Sequence, residues 1–335
     1  MTDKQPILVV GAGSWGTALA ITLARNGYPV WMWGRNPDQI EQLRATRLND
    51  QYLPGIELPS AVNPESNIHS LSACISDVVI AVPCGALPAV LDELSRQFTI
   101  PLNICLACKG LAAGKQLLNH QVVEDSDCNV HKLGILSGPS FAIEVARGLP
   151  TAVTLAAGSL DDAEYFAAFF RNDVFRIYTS DDIIGVQIAG AVKNVMAIAA
   201  GISDGLCYGA NTRAALVTRG LSEITRLGVA LGGRQETFMG LAGVGDLLLT
   251  CTDDKSRNRR MGLLLAKGKT AKEAQQDIGQ AVEGMNAVEE VIHIAERYGI
   301  DMPVSEQVSR VIQGRTTPTE AVYALLAREP KAEVT

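Results

Sequence analysis

The chain has 335 residues, 47% of them hydrophobic and 19% charged, enough length for two domains and enough apolar content to bury sizeable cores, so it reads as a soluble globular protein. Its 36 acidic against 29 basic residues give a formal net charge of -7, which disfavours non-specific attraction to nucleic acid or an anionic membrane. Seven scattered cysteines are unlike the dense frameworks of small secreted domains, so reduced thiols and a cytoplasmic location are expected.

The chain begins "MTDKQPILVV", polar residues and then a short apolar run, which reads as the start of a fold with no targeting segment before it. Residues 6–24 carry no charge and approach the length of a membrane span, but glycines, serine and threonines interrupt them in a recognisable order. "ILVV" predicts a buried parallel strand. "GAGSWG" then sets Gly11, Gly13 and Gly16 in G-x-G-x-x-G spacing, and "TALAITLARNG" has helical periodicity that stops at Gly27. Strand, glycine turn and helix in that order form a dinucleotide cradle: Gly11 permits the tight turn, Gly13 lets backbone approach a pyrophosphate, and Gly16 lets helix pack on strand. No membrane insertion is expected.

"YPVWMWG" predicts the second strand. An acid at its end would hold the ribose 2′-hydroxyl of NAD, but Arg35 stands there and the first acid is Asp38. A guanidinium suits a 2′-phosphate, which favours NADPH, with NADH as the rival. Residues 49–72 read as a polar segment without an element. "DVVIAVP", "PLNICLACKG", "LGILSGPS", "TAVTLAAG" and "VFRIYTS" predict further strands, with helices over residues 85–98 and 161–170. The alternation implies an α/β Rossmann-type fold, a doubly wound, mostly parallel sheet. Cys105 and Cys108 form a single C-x-x-C, and with the four histidines far apart they read as core or strand-end thiols; no metal site is expected. Beyond residue 183 the patterns are helical, which predicts a dinucleotide-binding domain over residues 1–183 and an all-α substrate domain over 184–335, with "PKAEVT" as a loose tail.

Across residues 183–203 the single ionisable side chain is Lys193, mid-helix among small residues. Desolvation lowers an amine's pKa, which makes Lys193 a candidate general base. Residues 237–252 likewise hold one charge, Asp246, on a glycine-rich turn, and an isolated cation and anion in apolar surroundings suggest a pair. Ser256, Arg257 and Asn258 are three donors in a row at a helix start, an arrangement suited to phosphate. Lys109, after "CLAC", and the turn "SGPSFA" with Ser140 lie at strand ends where ligands bind in doubly wound sheets.

These motifs, with "GAVKNVMAI", "GLAGVGDLLLTC" and "VEGM", resemble the bacterial members of the NAD-dependent glycerol-3-phosphate dehydrogenase family over nearly the whole chain. The resemblance implies interconversion of dihydroxyacetone phosphate and sn-glycerol 3-phosphate, the reductive direction feeding glycerophospholipid synthesis. It implies Lys193 as proton acceptor, and Lys109, Gly138, Ser140, Lys193, Asp246, Ser256, Arg257 and Asn258 as substrate contacts. Ser14, Trp15, Arg35, Tyr52, Ala142, Ala281 and Glu283 would lie near the cofactor, and Lys109 and Arg257 would touch both ligands. Met285 departs from the aromatic expected after "VEG" but leaves Glu283 in place. A homodimer is expected from the many apolar faces of the helical part. Rival readings are a dehydrogenase of a 3-hydroxy acid, which would need a carboxylate site, and a non-catalytic NADPH sensor.

Overall fold

The computed structural model describes residues 4–71, 75–112, 114 and 116–329; Cys74, the end of the 49–72 segment and the expected tail lie outside the described residues. The described residues contain eight strands: β1 (Ile7–Val10), β2 (Val30–Trp33), β3 (Val62–Glu65), β4 (Asp77–Ile80), β5 (Leu102–Leu106), β6 (Val130–Ser137), β7 (Thr151–Ala157) and β8 (Phe175–Ser180). They form one sheet in the order β3-β2-β1-β4-β5-β6-β7-β8. All neighbours run parallel except β6 and β7. Helices α1 (Ser14–Arg25), α2 (Pro37–Thr46), α3 (Leu87–Gln97), α4 (Asn119–Glu124), α5 (Ala142–Ala146) and α6 (Leu160–Phe170) accompany it.

Successive residues of β1 serve opposite faces, Ile7 and Val9 joining one core and Leu8 and Val10 the other. A strand covered on both faces must be apolar throughout, which is why "ILVV" has no alternation. The uncharged 6–24 run is therefore strand, turn and helix. The segment expected to lack an element contains β3, which pairs with β2 alone. Its sequence "VNPE" carries Pro64, and an edge position tolerates the missing N–H donor.

After β8 the described elements are helical: α7 (Ile183–Gly205), α8 (Gly209–Ala230), α9 (Gln235–Phe238), a π-helical turn (Leu241–Gly245), α10 (Asp246–Thr252), α11 (Arg257–Ala266), α12 (Ala271–Ile278), α13 (Glu283–Arg297), α14 (Pro303–Ile312) and α15 (Pro318–Leu326). Helix α7 is long and apolar enough to cross a membrane, yet it is buried without a break from Gly185 to Ser203, as the axis of the helical half. Asp182 caps its start, accepting from Gly185 N at 2.8 Å and from Arg234 N at 2.9 Å. Helix α11 crosses α7 at backbone contact. A Cβ on Gly201 would lie 2.1 Å from Arg259 O, and one on Gly262 would lie 2.1 Å from Ile198 O, so only glycine at both positions permits this approach. At the start of α14, buried Glu223 accepts from Val304 N, Ser305 N and Ser305 Oγ at 2.6, 3.2 and 3.0 Å.

Candidate active site

The sheet order reverses between β1 and β4, and a cleft of about 1550 Å³ opens at their carboxyl ends against α7, α10, α11 and the start of α13. At its sheet end Gly11 adopts φ +118°, and a Cβ there would lie 2.8 Å from Ala81 O. A Cβ on Gly16 would lie 1.9 Å from Gly11 O, so α1 packs on the turn only because that position is glycine. Around Gly13 nothing lies within 4 Å of a Cβ position, leaving this backbone open to the cleft.

Helix α1 begins with no side-chain cap and no acid in its first turn, so its first N–H groups are free to meet an anion. Ser14 Oγ donates to Tyr52 O at 2.7 Å, which lays the 51–54 segment over the turn. Trp15 Nε1 is buried without a partner. An open glycine cradle, an uncapped helix start and an orphaned donor fit a dinucleotide diphosphate. Arg35 is exposed on the cleft wall at the end of β2. Asn36 caps α2 through Asp38 N and Gln39 N, which puts Asp38 in the first turn of that helix.

At the other end two buried charges, Lys193 and Asp246, meet the half-buried Lys109. Lys193 Nζ lies 2.6 Å from Asp246 Oδ1 and donates to Thr250 Oγ1 at 3.0 Å, while Lys109 Nζ lies 3.1 Å from Asp246 Oδ2. The expected pair of Lys193 and Asp246 is thus a carboxylate shared by two ammoniums. Asp246 is also the first residue of α10, helical instead of on a glycine turn, because the π-helical turn leads straight into it. Burial pushes the Lys193 amine down to about 8, Lys109 acts in the same sense, and the opposing pull of Asp246 does not cancel them. For Asp246 burial is the largest influence and raises the pKa, but Lys109 and Lys193 together hold the carboxyl below its ordinary range. Lys109 Nζ also donates to Gly138 O at 2.6 Å and Ser140 Oγ at 3.1 Å.

Ser256 caps α11, accepting from Arg259 N at 3.2 Å, and the N–H groups of Arg257 and Asn258 head the helix beside the cleft. The Asn258 side chain is held by the protein: Nδ2 donates to Asn194 Oδ1 at 2.8 Å and Oδ1 accepts from Gly284 N at 2.9 Å. That uses one of the two Nδ2 hydrogens, leaving the other and the backbone N–H as donors beside the cleft. Burial lowers the Arg257 guanidinium from its ordinary range, opposed by Glu283. Glu283 is pushed up to about 6 by burial, with Arg257 and the Cys84 N–H pulling against it.

The expected site residues converge on this one cleft, including Trp15, Tyr52, Ala142, Ala281 and Glu283. Gly16 and Gly138 stand behind its wall: Gly16 against Gly11, and Gly138, at φ +133°, with its carbonyl on Lys109. Sequence reasoning missed Asn194 and Thr250. Asn194 Nδ2 donates to Lys109 O at 2.9 Å and Gly190 O at 3.1 Å, joining the sheet, α7 and, through Asn258, α11. An amide beside Lys193 in an otherwise apolar helix was the available signal.

Residues 6–163 match the family profile described as NAD-dependent glycerol-3-phosphate dehydrogenase N-terminus, and residues 182–323 that described as its C-terminus. A Nitrosococcus oceani protein named glycerol-3-phosphate dehydrogenase (NAD(P)+) is 50% identical over 334 residues, covering 99% of this chain and 97% of the relative. A Psychromonas ingrahamii protein of the same name is 47% identical, covering 99% of this chain and 100% of the relative. The crystal structure of glycerol-3-phosphate dehydrogenase from Coxiella burnetii superposes with a TM-score of 0.93 at 44% identity, covering 97% of this chain and 99% of that one.

Proposed function

The chain belongs to the NAD-dependent glycerol-3-phosphate dehydrogenase family, and from that premise we propose that it interconverts dihydroxyacetone phosphate and sn-glycerol 3-phosphate with NADPH or NADH. In this reading residues 1–183 hold the dinucleotide, residues 184–335 supply the base and most of the phosphate grip, and the reductive direction feeds glycerophospholipid synthesis. The nicotinamide supplies or takes the hydride at C2.

Lys193 manages the matching proton. In reduction its ammonium donates to the nascent C2 alkoxide, and in oxidation the neutral amine accepts the hydroxyl proton. An amine at about 8 reaches both forms near neutral pH. Asp246 holds Lys193 and Lys109 in place and offsets part of the cost of burying them. Ser256, Arg257 and the head of α11 bind the phosphate, fixing C2 beside Lys193. Lys109 and Ser140 supply further donors next to the reacting carbon, and the N–H groups after Gly13 hold the dinucleotide. Arg35, with no acid beside it at the end of β2, favours the 2′-phosphate of NADPH.

The observation that carries this reading is the Lys109–Asp246–Lys193 cluster opening into the same cleft as the glycine cradle. The test is steady-state loss of reduced-nicotinamide absorbance with dihydroxyacetone phosphate, with unphosphorylated keto acids in parallel and the Arg35→Ala variant beside the wild type. Turnover of dihydroxyacetone phosphate alone is expected, and Arg35→Ala should raise KM for NADPH about tenfold while leaving KM for NADH in place. Turnover of the keto acids instead would overturn the substrate assignment.

A further inference from the structure

Strands β4 and β5 are neighbours, and a cysteine follows each of them: Cys84 in the turn leading to α3, and Cys108 directly before Lys109. Cys108 lies close enough to push the Cys84 thiol up, and burial acts in the same sense. Asn119, at the head of α4, donates its one Nδ2 group toward both sulfurs, at 3.5 Å to Cys84 and 3.7 Å to Cys108, and to Gly110 O at 3.1 Å. Both are free thiols. They differ in access: Cys84 is fully buried, whereas Cys108 lines the cleft and is 9% exposed. The C-x-x-C spacing suggests Cys105 as the partner of Cys108, but Cys105 belongs to the core on the opposite face of the sheet.

We propose that Cys84 and Cys108 form an oxidisable dithiol that disables the catalytic cluster when a peroxide enters the unliganded cleft. The Cys108 sulfur attacks the peroxide, whose O–O bond breaks; the sulfur is oxidised to a sulfenic acid and the first water leaves. The Cys84 sulfur then displaces the hydroxyl from Cys108, its own proton leaves with that hydroxyl as a second water, and the S–S bond forms. Two thiols lose two electrons and one peroxide becomes two waters.

The effect on the site follows from geometry. A disulfide bond of about 2.05 Å is shorter than any contact between two separate thiols, so closure draws Cys108 toward β4. The next residue is Lys109, whose ammonium contacts to Gly138 O, Ser140 Oγ and Asp246 span 2.6 to 3.1 Å and whose carbonyl receives Asn194. A displacement near 1 Å at such a group costs on the order of 100-fold in rate. Bound dinucleotide would cover Cys108, since Lys109 and Trp15 line the same cleft.

The test uses the full chain carrying Cys207→Ser, which removes an exposed thiol that would join chains together. Hydrogen peroxide is added, and non-reducing peptide mapping is followed beside dihydroxyacetone phosphate-dependent oxidation of NADPH. A peptide linking Cys84 to Cys108 should appear in step with a loss of roughly 100-fold in turnover, dithiothreitol should reverse both, and NADPH added first should slow both. Cys84→Ser should yield no linked peptide and no dithiothreitol-reversible loss. Absence of the link at peroxide levels that oxidise Cys207 in the wild type, or full turnover by linked protein, would overturn the proposal. The map reads the link whatever the substrate, so an error in the proposed activity appears separately, as no turnover before peroxide is added.

Discussion

At the β1–α1 turn the cleft is lined by backbone amides and uncharged side chains, whereas where α7 meets α10 it is lined by two ammoniums around one carboxylate. Both ends suit anions. The first does so through free N–H groups and glycines that keep the surface thin; the second does so through charges whose burial is offset chiefly by one another. The contrast teaches that one end is sensitive to added volume and the other to altered charge at constant volume.

Substitutions test that contrast. The largest effect is expected from Lys193→Ala, which should cut turnover by about 10³- to 10⁴-fold while NADPH binding, read by fluorescence titration, stays measurable. Retained turnover would remove the division of labour between the ends. Asp246→Asn keeps the shape and removes the charge, leaving buried Lys193 and half-buried Lys109 without their counter-charge. It should lower stability in denaturant titration by about 3–5 kcal/mol. In the wild type, oxidation of glycerol 3-phosphate should rise and reduction should fall as pH passes through about 8, since the first needs the neutral amine and the second the ammonium. Asp246 raises that pKa, so in the asparagine variant both arms should move to lower pH.

A smaller effect separates two glycines of the turn. Gly16→Ala meets Gly11 O and should destabilise the fold by about 1–3 kcal/mol in thermal melts. Gly13→Ala has room, and should leave the melt unchanged while weakening cofactor binding. Equal melts for both would break the volume argument. The smallest effect lies outside the cleft. Burial pushes Glu223 up to about 7, against the donors of Val304 and Ser305 that favour its charge. The folded chain therefore keeps a proton that the unfolded chain releases from its ordinary 4.5, so this group's stabilising contribution is present at low pH and is lost as pH rises toward about 7. Glu223→Gln should flatten that part of the stability-against-pH curve.

The sheet end was legible because its information is local: "ILVV", three glycines and a helical period fall within a few neighbouring residues. Lys193 was legible by isolation, as the one charge across the apolar residues 183–203. The partnership of Lys109 with Asp246 was not, since 137 residues separate them and only the crossing of sheet and helices brings them together. The bond that holds the Asn258 side chain was hidden for the same reason; its partner Asn194 lies 64 residues away. Strand β3 escaped because "VNPE" is four residues long, holds a proline and has no β-branched content beyond Val62, and it owes its existence to the register offered by β2. Cys105 and Cys108, expected as core or strand-end thiols, sit in the cores on opposite faces of the sheet.

Where Gly201 and Gly262 let α7 and α11 touch, no side chain stands between the helix that presents the amine and the helix that heads the phosphate grip. There is accordingly nothing to cushion a slip of one against the other. Even a single methyl at that crossing, remote from any ligand, would lever the two grips apart and detune the spacing between proton and phosphate.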